Sequence, residues 1–592
     1  MANLTEKIGN IWREIKNQPK DIWFFCLFLL TFPLSIRKVM MQFPIKGAFN
    51  EYASAYIYLS DLFFLLTMLV GLFLIIRNKK QDMSSSKGNF LTLIHRLFCD
   101  KAVDNSNTPG VSLRKITLIK AINPYFRAIF LGLIFIMLFD HYLWDIWQGQ
   151  VLFWVVCGFL VGIEFLKCST PKNSKLFHVE HSGITWQTWD NLGYNGVAKC
   201  SMPAYRSLGA GRWNIFRKSI FIIPLILVIC SFVSVNWSEN QLISLYRSFR
   251  LLELYLLFIY ISLRFVPYCV GCFAKCSTLL RQDSGGQARN NYAAGDSENA
   301  PRLPAEVLAQ VGGAFGIIMF TGAIQSVVGV VQVIIQHSVG LFWLRESIVA
   351  PNIAGVAKII INHQAYIRAY GLFPHPNILG GFLFFSIIIT LLCQKMFHVE
   401  HFKEQDSMNC STWNISGGDF WKIVPRGTIW NYLIWLALII QITGIIFSFS
   451  KSAILALIVA VIYIIVPRGT FQVVNLKKLF HVEQFRMLLI AGLVILGGLF
   501  FFRVEVYDLF AKSFQERKLY MFISEQIIAD SPIVGVGTGQ FIVNAEKLFP
   551  NLEVWQYQPV HNVFLLIWSE WGIVGLVLFI LFLWKLLHFK KY

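Results

Sequence analysis

Apolar runs close to the length of a membrane-spanning helix recur along the chain, and they constrain the fold more than any other feature. A helix needs about 20 apolar residues to cross a bilayer. The alternating pattern of a membrane β-barrel is not seen in the sequence. Hydrophobic residues make up 56% of the 592 and charged residues 14%, a balance that excludes an ordinary soluble domain. The predicted spans start near Ile22, Tyr56, Phe126, Val151, Ser219, Leu251, Ala314, Asn377, Leu433, Ser452, Met487 and Asn562.

The sequence therefore predicts an all-α, polytopic membrane protein of about 12 transmembrane helices, forming one integral membrane domain over residues 1–592. Its formal net charge is +19, carried by basic residues between the apolar runs. Such residues set membrane topology and contact anionic headgroups, so we do not expect a nucleic acid partner. Basic residues precede the first run and no small-residue cleavage site follows it, which predicts an uncleaved span.

The distribution of basic residues also predicts which loops share a side of the membrane. The N- and C-termini are expected in the cytoplasm. Five loops are expected on the same side: 77–119, 167–218, 268–312, 395–430 and 466–486. Two long loops, 337–376 and 503–561, are expected on the opposite side and carry the candidate site.

Short repeats in the predicted cytoplasmic loops have a common origin at the DNA level. FHVEH, VPRGT and CSTWN are the three reading frames of one palindromic word, TGTTCCACGTGGAACA. FHVEH occupies Phe177 to His181 and Phe397 to His401, VPRGT occupies Val424 to Thr428 and Val466 to Thr470, and CSTWN occupies Cys410 to Asn414. These peptides indicate inserted copies of a DNA element, so their histidines do not point to a metal site. Loops that accept such insertions are not expected to carry function.

Polar side chains mark the outer end of one predicted span. In RAYGLFPHPNILGGF, Arg368, His375 and Asn377 stand where a Pro/Gly-rich turn meets the apolar run that extends to Cys393. Polar groups beside lipid are costly and are usually retained for function. A turn capped by Asn377 explains the prolines and glycines, but it does not explain the arginine and the histidine.

Further basic and histidine side chains fall on the same predicted side. Lys451 lies in SFSKS between two spans, Arg517 lies in the last outer loop, and His561 opens the final span. A lone histidine at a helix start is more often a cap or an interfacial residue. Beside several cations it gains a second interpretation as part of an anion site, which the positive end of the helix also favours.

Arg247, Arg250 and Glu253 follow one another at helical spacing. The spacing predicts an ion pair on one helix face. An interfacial belt of Arg and Trp that reaches lipid headgroups is the alternative interpretation. Either arginine could also contribute to the anion site.

Together these residue types fit glycosyl transfer from a lipid-linked sugar diphosphate. Guanidinium groups bind phosphate oxygens bidentately and stay charged. They can stabilise the negative charge on the departing diphosphate while a histidine accepts the proton of the acceptor hydroxyl. The outer loops contain no D-x-D pair that would hold a divalent metal, so we expect no metal and no cofactor.

Several motifs, in this order, resemble the O-antigen ligase/polymerase family of bacterial polytopic membrane proteins. They are EYASAYIYLSD, SVGLFWLRES, RAYGLFPHPNILGGFL, SFSKSA, SPIVGVGTGQF and HNVFLLIWSEWGIVG. The resemblance implies a location in the bacterial inner membrane, with a periplasmic catalytic cap. It also implies an undecaprenyl-diphosphate-linked glycan as donor and a lipid, glycan or protein as acceptor.

The resemblance also implies roles for individual residues. His561 matches the proposed catalytic base, and Arg368 and Arg517 match arginines that hold the diphosphate, with Arg247 a further match. Lys451 stands where the family usually has arginine, which retains the charge and loses the bidentate fork. His375 and Asn377 complete the predicted substrate-binding set. These motifs do not separate ligases, polymerases and protein O-oligosaccharyltransferases.

Two other functions compete with glycosyl transfer. A lipid-linked glycan transporter or flippase would bind the same donor without chemistry, but transporters are commonly built from internal repeats, and only the DNA-derived peptides repeat here. Charges inside the predicted spans are few, namely Asp61, Asp140 and Glu164, which argues against a proton relay. A scaffold for an envelope assembly is the third possibility.

Overall fold

The structure is a computed structural model that describes residues 19–79, 109–168, 209–266, 305–361, 363–405, 426–465 and 506–588. These residues are mostly helical. The helices are α1 (Lys20–Thr31), α2 (Leu59–Lys79), α3 (Pro109–Met137), α4 (Tyr142–Asp145), α5 (Trp147–Cys168), α6 (Gly209–Ser234), α7 (Gln241–Tyr260), α8 (Ala305–Ile335), α9 (Pro376–Gln405), α10 (Arg426–Phe447), α11 (Lys451–Ile465), α12 (Val506–Asp530), α13 (Phe541–Leu548) and α14 (Val563–His588).

Five helices in the described part are long and apolar enough to cross a membrane. They contain the segments Trp147–Leu166, Ser219–Trp237, Ala314–Ile335, Pro376–Lys395 and Val563–His588. Shorter apolar helices cover Leu59–Phe73, Ile122–Met137, Asn431–Phe447 and Lys451–Ile464. The chain is thus a multi-pass membrane protein, while the count of about 12 spans stays a prediction. The predicted span near Met487 lies outside the described residues.

Helix α9 lies at the centre of the bundle. Its apolar segment is 89% buried by other parts of the protein, whereas that of α8 is only 44% buried and turns the rest outward. It packs against α3, α5, α8, α10 and α11. The N-terminal end of α9 therefore meets loops from several parts of the chain, and the candidate site lies there.

Two adjacent glycines allow this convergence. A Cβ atom built on Gly381 would lie 2.1 Å from the hydroxyl oxygen of Tyr142, and one built on Gly380 would lie 2.6 Å from Cβ of Ser450. Tyr142 begins the short helix α4, and Ser450 immediately precedes α11. The first turns of α9 are thus in direct contact with both neighbours, because neither glycine has a side chain.

We expect Gly380→Ala to destabilise the protein by about 1–3 kcal/mol, because the added methyl group overpacks against a side-chain atom next to the backbone. Gly316→Ala is the matched control. It also lies inside a helix, but its added Cβ meets no atom within 4 Å. The control should be neutral or gain up to about 1 kcal/mol from helix propensity. Unfolding in detergent, followed by circular dichroism, measures both; equal effects would contradict the close approach.

The all-α prediction needs one correction, because two antiparallel hairpins are present. Strand β1 (Arg37–Gln42) pairs with β2 (Ser54–Tyr58), with Val39 opposite Tyr56. Strand β3 (Lys358–Ile361) pairs with β4 (Gln364–Ile367), with Ile359 opposite Tyr366. These segments are rich in Val, Ile and Tyr, which favour strands. The hairpin β3–β4 ends one residue before Arg368 and so leads directly into the candidate site.

The predicted outer loops contain ordered structure. The loop 337–376 contains the hairpin β3–β4, and the loop 503–561 contains α12 and α13. On the other side, α9 continues to Gln405 and α10 begins at Arg426, so part of the predicted loop 395–430 is helical. Most copies of the inserted peptides, and the cysteines of the predicted loop 268–312, lie outside the described residues.

Two carboxylates predicted inside spans lie at helix ends instead. Asp61 is in the first turn of α2 and accepts a hydrogen bond from the Tyr58 amide at 2.8 Å. Asp140 lies beyond the end of α3, before α4. Only Glu164 lies within a span, where it forms a 2.9 Å ion pair with Arg127. The apolar runs continue past the ends of the helices, so the sequence did not reveal where these helices end.

Candidate functional site

A group of polar side chains gathers at the N-terminal end of α9, and we call it the polar cluster. It consists of Asp140, His141, Asp145, Arg368, His375, Asn377, Lys451, Arg517, Tyr520 and His561. The members come from five segments of the chain. Six of the seven residues predicted for the site belong to it, and Arg247 does not.

Arg368 is held along one edge of its guanidinium. Nε donates to the Ser448 carbonyl at 2.8 Å, and one terminal nitrogen, Nη2, donates to Oδ1 of Asn377 at 2.7 Å. Burial lowers the pKa of Arg368 to about 10, so the group is still protonated at neutral pH. To the described residues, Nη1 makes no hydrogen bond. The structure therefore holds a fixed cation with one free end.

Asn377 connects Arg368 to a buried carboxylate. Its Nδ2 donates to Oδ2 of Asp140 at 2.8 Å. Burial raises the pKa of Asp140, and this effect is opposed by the positive charges of His141, Arg517 and Arg368. The amide predicted to bind substrate is thus engaged with protein on both sides.

His375 accepts a hydrogen bond at the start of α9. Its Nδ1 lies 3.2 Å from the backbone nitrogen of Asn377, so that nitrogen is unprotonated. Burial, together with the positive charges of Arg368 and His141, lowers the pKa of His375 to about 3. The neutral ring stabilises the helix start, and the predicted substrate contact of His375 stays a prediction.

His561 lies between two other rings. The Tyr520 ring stacks on it at a centroid distance of 5.3 Å and an interplanar angle of 9°, and the His141 ring meets it edge to face at 4.8 Å. Asn562 fixes the following helix by accepting a hydrogen bond from the Leu565 amide at 3.1 Å. The imidazole is thus held just before α14, as its sequence position suggested.

The protonation of His561 suits a proton acceptor. Burial and the positive charges of His141, Arg517 and His375 lower its pKa well below 6.5. The Pro559 carbonyl opposes this shift, but no hydrogen bond of ordinary geometry reaches the buried Nδ1. The ring is therefore neutral at physiological pH.

His141 and Asp145 form a second pair beside His561. Nδ1 of His141 lies 2.9 Å from Oδ1 of Asp145. Burial lowers the pKa of His141, but the Asp145 and Asp140 carboxylates raise it, and the pKa is raised overall. The two neighbouring imidazoles thus have pKa values shifted in opposite directions, which is a common feature of acid–base sites.

Arg517 and Lys451 supply further positive charge. Arg517 is half-buried, and it forms no ion pair or hydrogen bond with any residue that the structure describes. Its charge acts on Asp140, His141 and His561. Lys451 is exposed at the first residue of α11, within electrostatic range of Arg517 and Arg368. The positive end of that helix adds to the attraction for an anion.

Arg247 lies beside the polar cluster, because it donates to the backbone carbonyl of Asp145, and its predicted place in the diphosphate site stays a prediction. Its terminal nitrogens donate to the backbone carbonyls of Asp145 and Tyr52, the latter at 2.9 Å. It lines a cavity with Asp145, Glu570 and Trp571. Because its terminal nitrogens already bond to backbone, Arg247 holds the chain behind His141.

The predicted ion pair on α7 is confirmed. Arg250 lies 2.8 Å from Glu253 and 2.7 Å from Asp61, and its guanidinium lies 4.5 Å from the centroid of the Trp147 ring. Arg250 is buried and fully engaged with these partners. It therefore connects helices and is not available to a ligand.

Sequence reasoning missed four members of the polar cluster. Asp140, His141 and Asp145 occur close together in DHYLWD, directly after an apolar run, and Tyr520 lies three residues after Arg517. Acidic residues and a histidine grouped at the end of a predicted span are a sequence signal that could have identified these members. In the part of the chain that the structure describes, no group of three or more His, Cys, Asp or Glu side chains is arranged to hold a metal ion.

The arrangement is suited to an anion and a proton transfer, since cations with free donors lie beside a neutral imidazole. Comparison with known families agrees with this interpretation. Residues 436–580 match the family model described as O-antigen ligase, and this segment includes Lys451, Arg517 and His561. No curated protein and no solved structure matches the chain. The chain is thus a multi-pass membrane protein in which residues 436–580 match the O-antigen ligase family, and this match supports the resemblance and, in general terms, a function in glycan transfer.

Proposed function

We propose that the protein is a membrane glycosyltransferase that transfers or polymerises a glycan carried on undecaprenyl diphosphate. The observation that supports this most is the meeting of Arg368, Arg517 and His561 from distant parts of the chain. Arg368 and His561 are linked through the bonded side chains of Asp140 and Asn377 and through the His141 ring. Arg517 acts electrostatically on Asp140, His141 and His561.

In this proposal the cations bind the diphosphate of the donor. Arg368 offers Nη1 and Arg517 offers its guanidinium, neither of which bonds to a residue that the structure describes, and Lys451 adds a point charge. When the bond between the sugar and the phosphate breaks, the electron pair goes to the phosphate oxygen. Fixed positive groups stabilise this developing charge without reorganisation during the reaction.

His561 accepts the proton of the acceptor hydroxyl. The oxygen then forms a bond to the anomeric carbon while undecaprenyl diphosphate departs. A low pKa keeps the imidazole unprotonated and ready, and the stacked Tyr520 ring fixes its plane. The site opens on the periplasmic side in this proposal, where a lipid, a growing glycan or a protein serves as acceptor.

The pH dependence follows from the low pKa of His561. A base must be unprotonated, so activity is lost as the pH falls through that pKa. The acid limb of kcat/KM should therefore lie below pH 6.5 in the wild type. Arg517→Gln removes a positive charge that lowers the pKa, so the acid limb should move to higher pH. A limb that stays in place or moves to lower pH would contradict the role of His561.

The proposal is tested by reconstituting the purified protein in liposomes with an undecaprenyl-diphosphate-linked glycan and candidate acceptors. We expect glycan transfer with equimolar release of undecaprenyl diphosphate. Because charge stabilisation is assigned to side chains, excess EDTA should leave the rate unchanged. Binding without release of the lipid diphosphate would favour a transporter, and abolition by EDTA would contradict the metal-independent mechanism.

A further inference from the structure

We infer that Asp140 is a positioning residue for the donor and acts on Arg368 through the Asn377 side chain. The inference rests on the proposed function, since it concerns the same diphosphate site. Asp140 does not touch the donor in this account. It fixes the direction in which the guanidinium points.

The first step is the orientation of the Asn377 amide. A side-chain amide has a donor end and an acceptor end, and nothing intrinsic selects which end faces Arg368. The Asp140 carboxylate is only 3% exposed and accepts from Nδ2 at 2.8 Å. This bond turns the oxygen of Asn377 toward Arg368, where it accepts from Nη2 at 2.7 Å. The opposite orientation would place two donors against each other.

The second step is the orientation of the guanidinium. The Ser448 carbonyl and Asn377 hold two nitrogens of Arg368 on one edge. Two bonds to a planar group define its plane, so Nη1 has a fixed direction. Loss of the Asn377 bond leaves only the Ser448 bond, about which the group can rotate. A bidentate contact with phosphate depends on such fixed geometry.

The third step is the rigidity of the segment that carries Asp140. Next to it, Tyr142 is only 1% exposed and packs against Gly381 in the second turn of α9. Asn377 belongs to the first turn of the same helix. The carboxylate and the amide are therefore held in register by packing, independently of any ligand.

A charge effect is the competing explanation, because Asp140 also lies within electrostatic range of Arg368 and Arg517. Asp140→Asn removes the charge but can still accept the Asn377 hydrogen bond through Oδ1. Asp140→Leu removes both the charge and the bond. The pair of variants therefore separates the two explanations.

The test measures the affinity of the full-length protein in nanodiscs for undecaprenyl diphosphate. We expect Asp140→Leu to weaken binding about tenfold, the usual consequence of losing a buried hydrogen bond. Asp140→Asn should stay within about threefold of the wild type on the same reasoning. If Asp140 acts through Arg368, then Asp140→Leu should change affinity by less than about twofold when added to Arg368→Ala.

Glu164→Leu is the matched control, since it removes another buried carboxylate, paired with Arg127, outside the polar cluster. It should lower thermal stability without changing affinity. The positioning role would be overturned if the losses of affinity in Asp140→Leu and Arg368→Ala were additive. It would also be overturned if Asp140→Asn bound as weakly as Asp140→Leu. If Arg368→Ala weakens binding but Asp140→Leu does not, the positioning role fails and the proposed diphosphate site stands. If the wild-type protein does not bind undecaprenyl diphosphate, both proposals fail.

Discussion

Replacing His561 with alanine should reduce glycan transfer by at least about a hundredfold, the usual contribution of a positioned general base. The half-buried ring carries no charge at neutral pH, so its loss removes the proton acceptor and leaves the cations in place. Donor affinity and membrane insertion should therefore stay close to wild type. The measurement is initial transfer rate in proteoliposomes, together with binding of undecaprenyl diphosphate.

His337→Ala is the matched control for this variant. His337 is also in a predicted outer loop, but it is exposed and its Nδ1 contacts the adjacent Ser338 carbonyl at 2.7 Å. Its replacement should leave the rate unchanged. Transfer by His561→Ala at the wild-type rate would show that His561 is not the base.

Arg368→Lys should reduce kcat/KM about tenfold or more, although the charge is retained. An ammonium group cannot bond to the Ser448 carbonyl and Asn377 along one edge and still present a second edge to phosphate. The burial of Arg368 increases the effect, because Asn377 would lose the donor to its Oδ1 inside the protein. Transfer rates at several donor concentrations measure the change.

The control for Arg368→Lys is Arg345→Lys, an exposed arginine of the same outer loop. It should behave like the wild type. Full activity of Arg368→Lys would show that charge alone is sufficient and would contradict the phosphate clamp. An equal loss in the two lysine variants would point to a general effect of the loop.

The sequence was informative where hydrophobic runs or family motifs were strong. Apolar runs predicted the central helix α9 and the final helix α14, because each must bury or face lipid over about 20 residues. The motifs predicted His561, Arg368 and Arg517 without showing how they meet. Their meeting depends on packing between distant segments, and no local pattern encodes it.

Asp140 illustrates what could not be predicted. It follows an apolar run without interruption, so the sequence placed it inside a span. Its partner Asn377 is 237 residues away in the chain, and the contact exists only because α3 packs against α9. A hydrogen bond over such a separation has no signature in a single sequence.

The contacts of Arg247 could not be predicted for a different reason. Helical spacing correctly paired Arg250 with Glu253, but it could not show that Tyr52 and Asp145 would offer their backbone carbonyls to Arg247. The two hairpins were missed in the same way, since short Ile- and Tyr-rich segments beside spans resemble the ends of apolar helices.

The most direct test of the central claim is a cryo-EM structure of His561→Ala with an undecaprenyl-diphosphate-linked glycan bound. We predict that the diphosphate lies between Arg368 and Arg517, with the anomeric carbon facing position 561. Density for the diphosphate on another surface, beyond contact with both arginines, would contradict the proposed site.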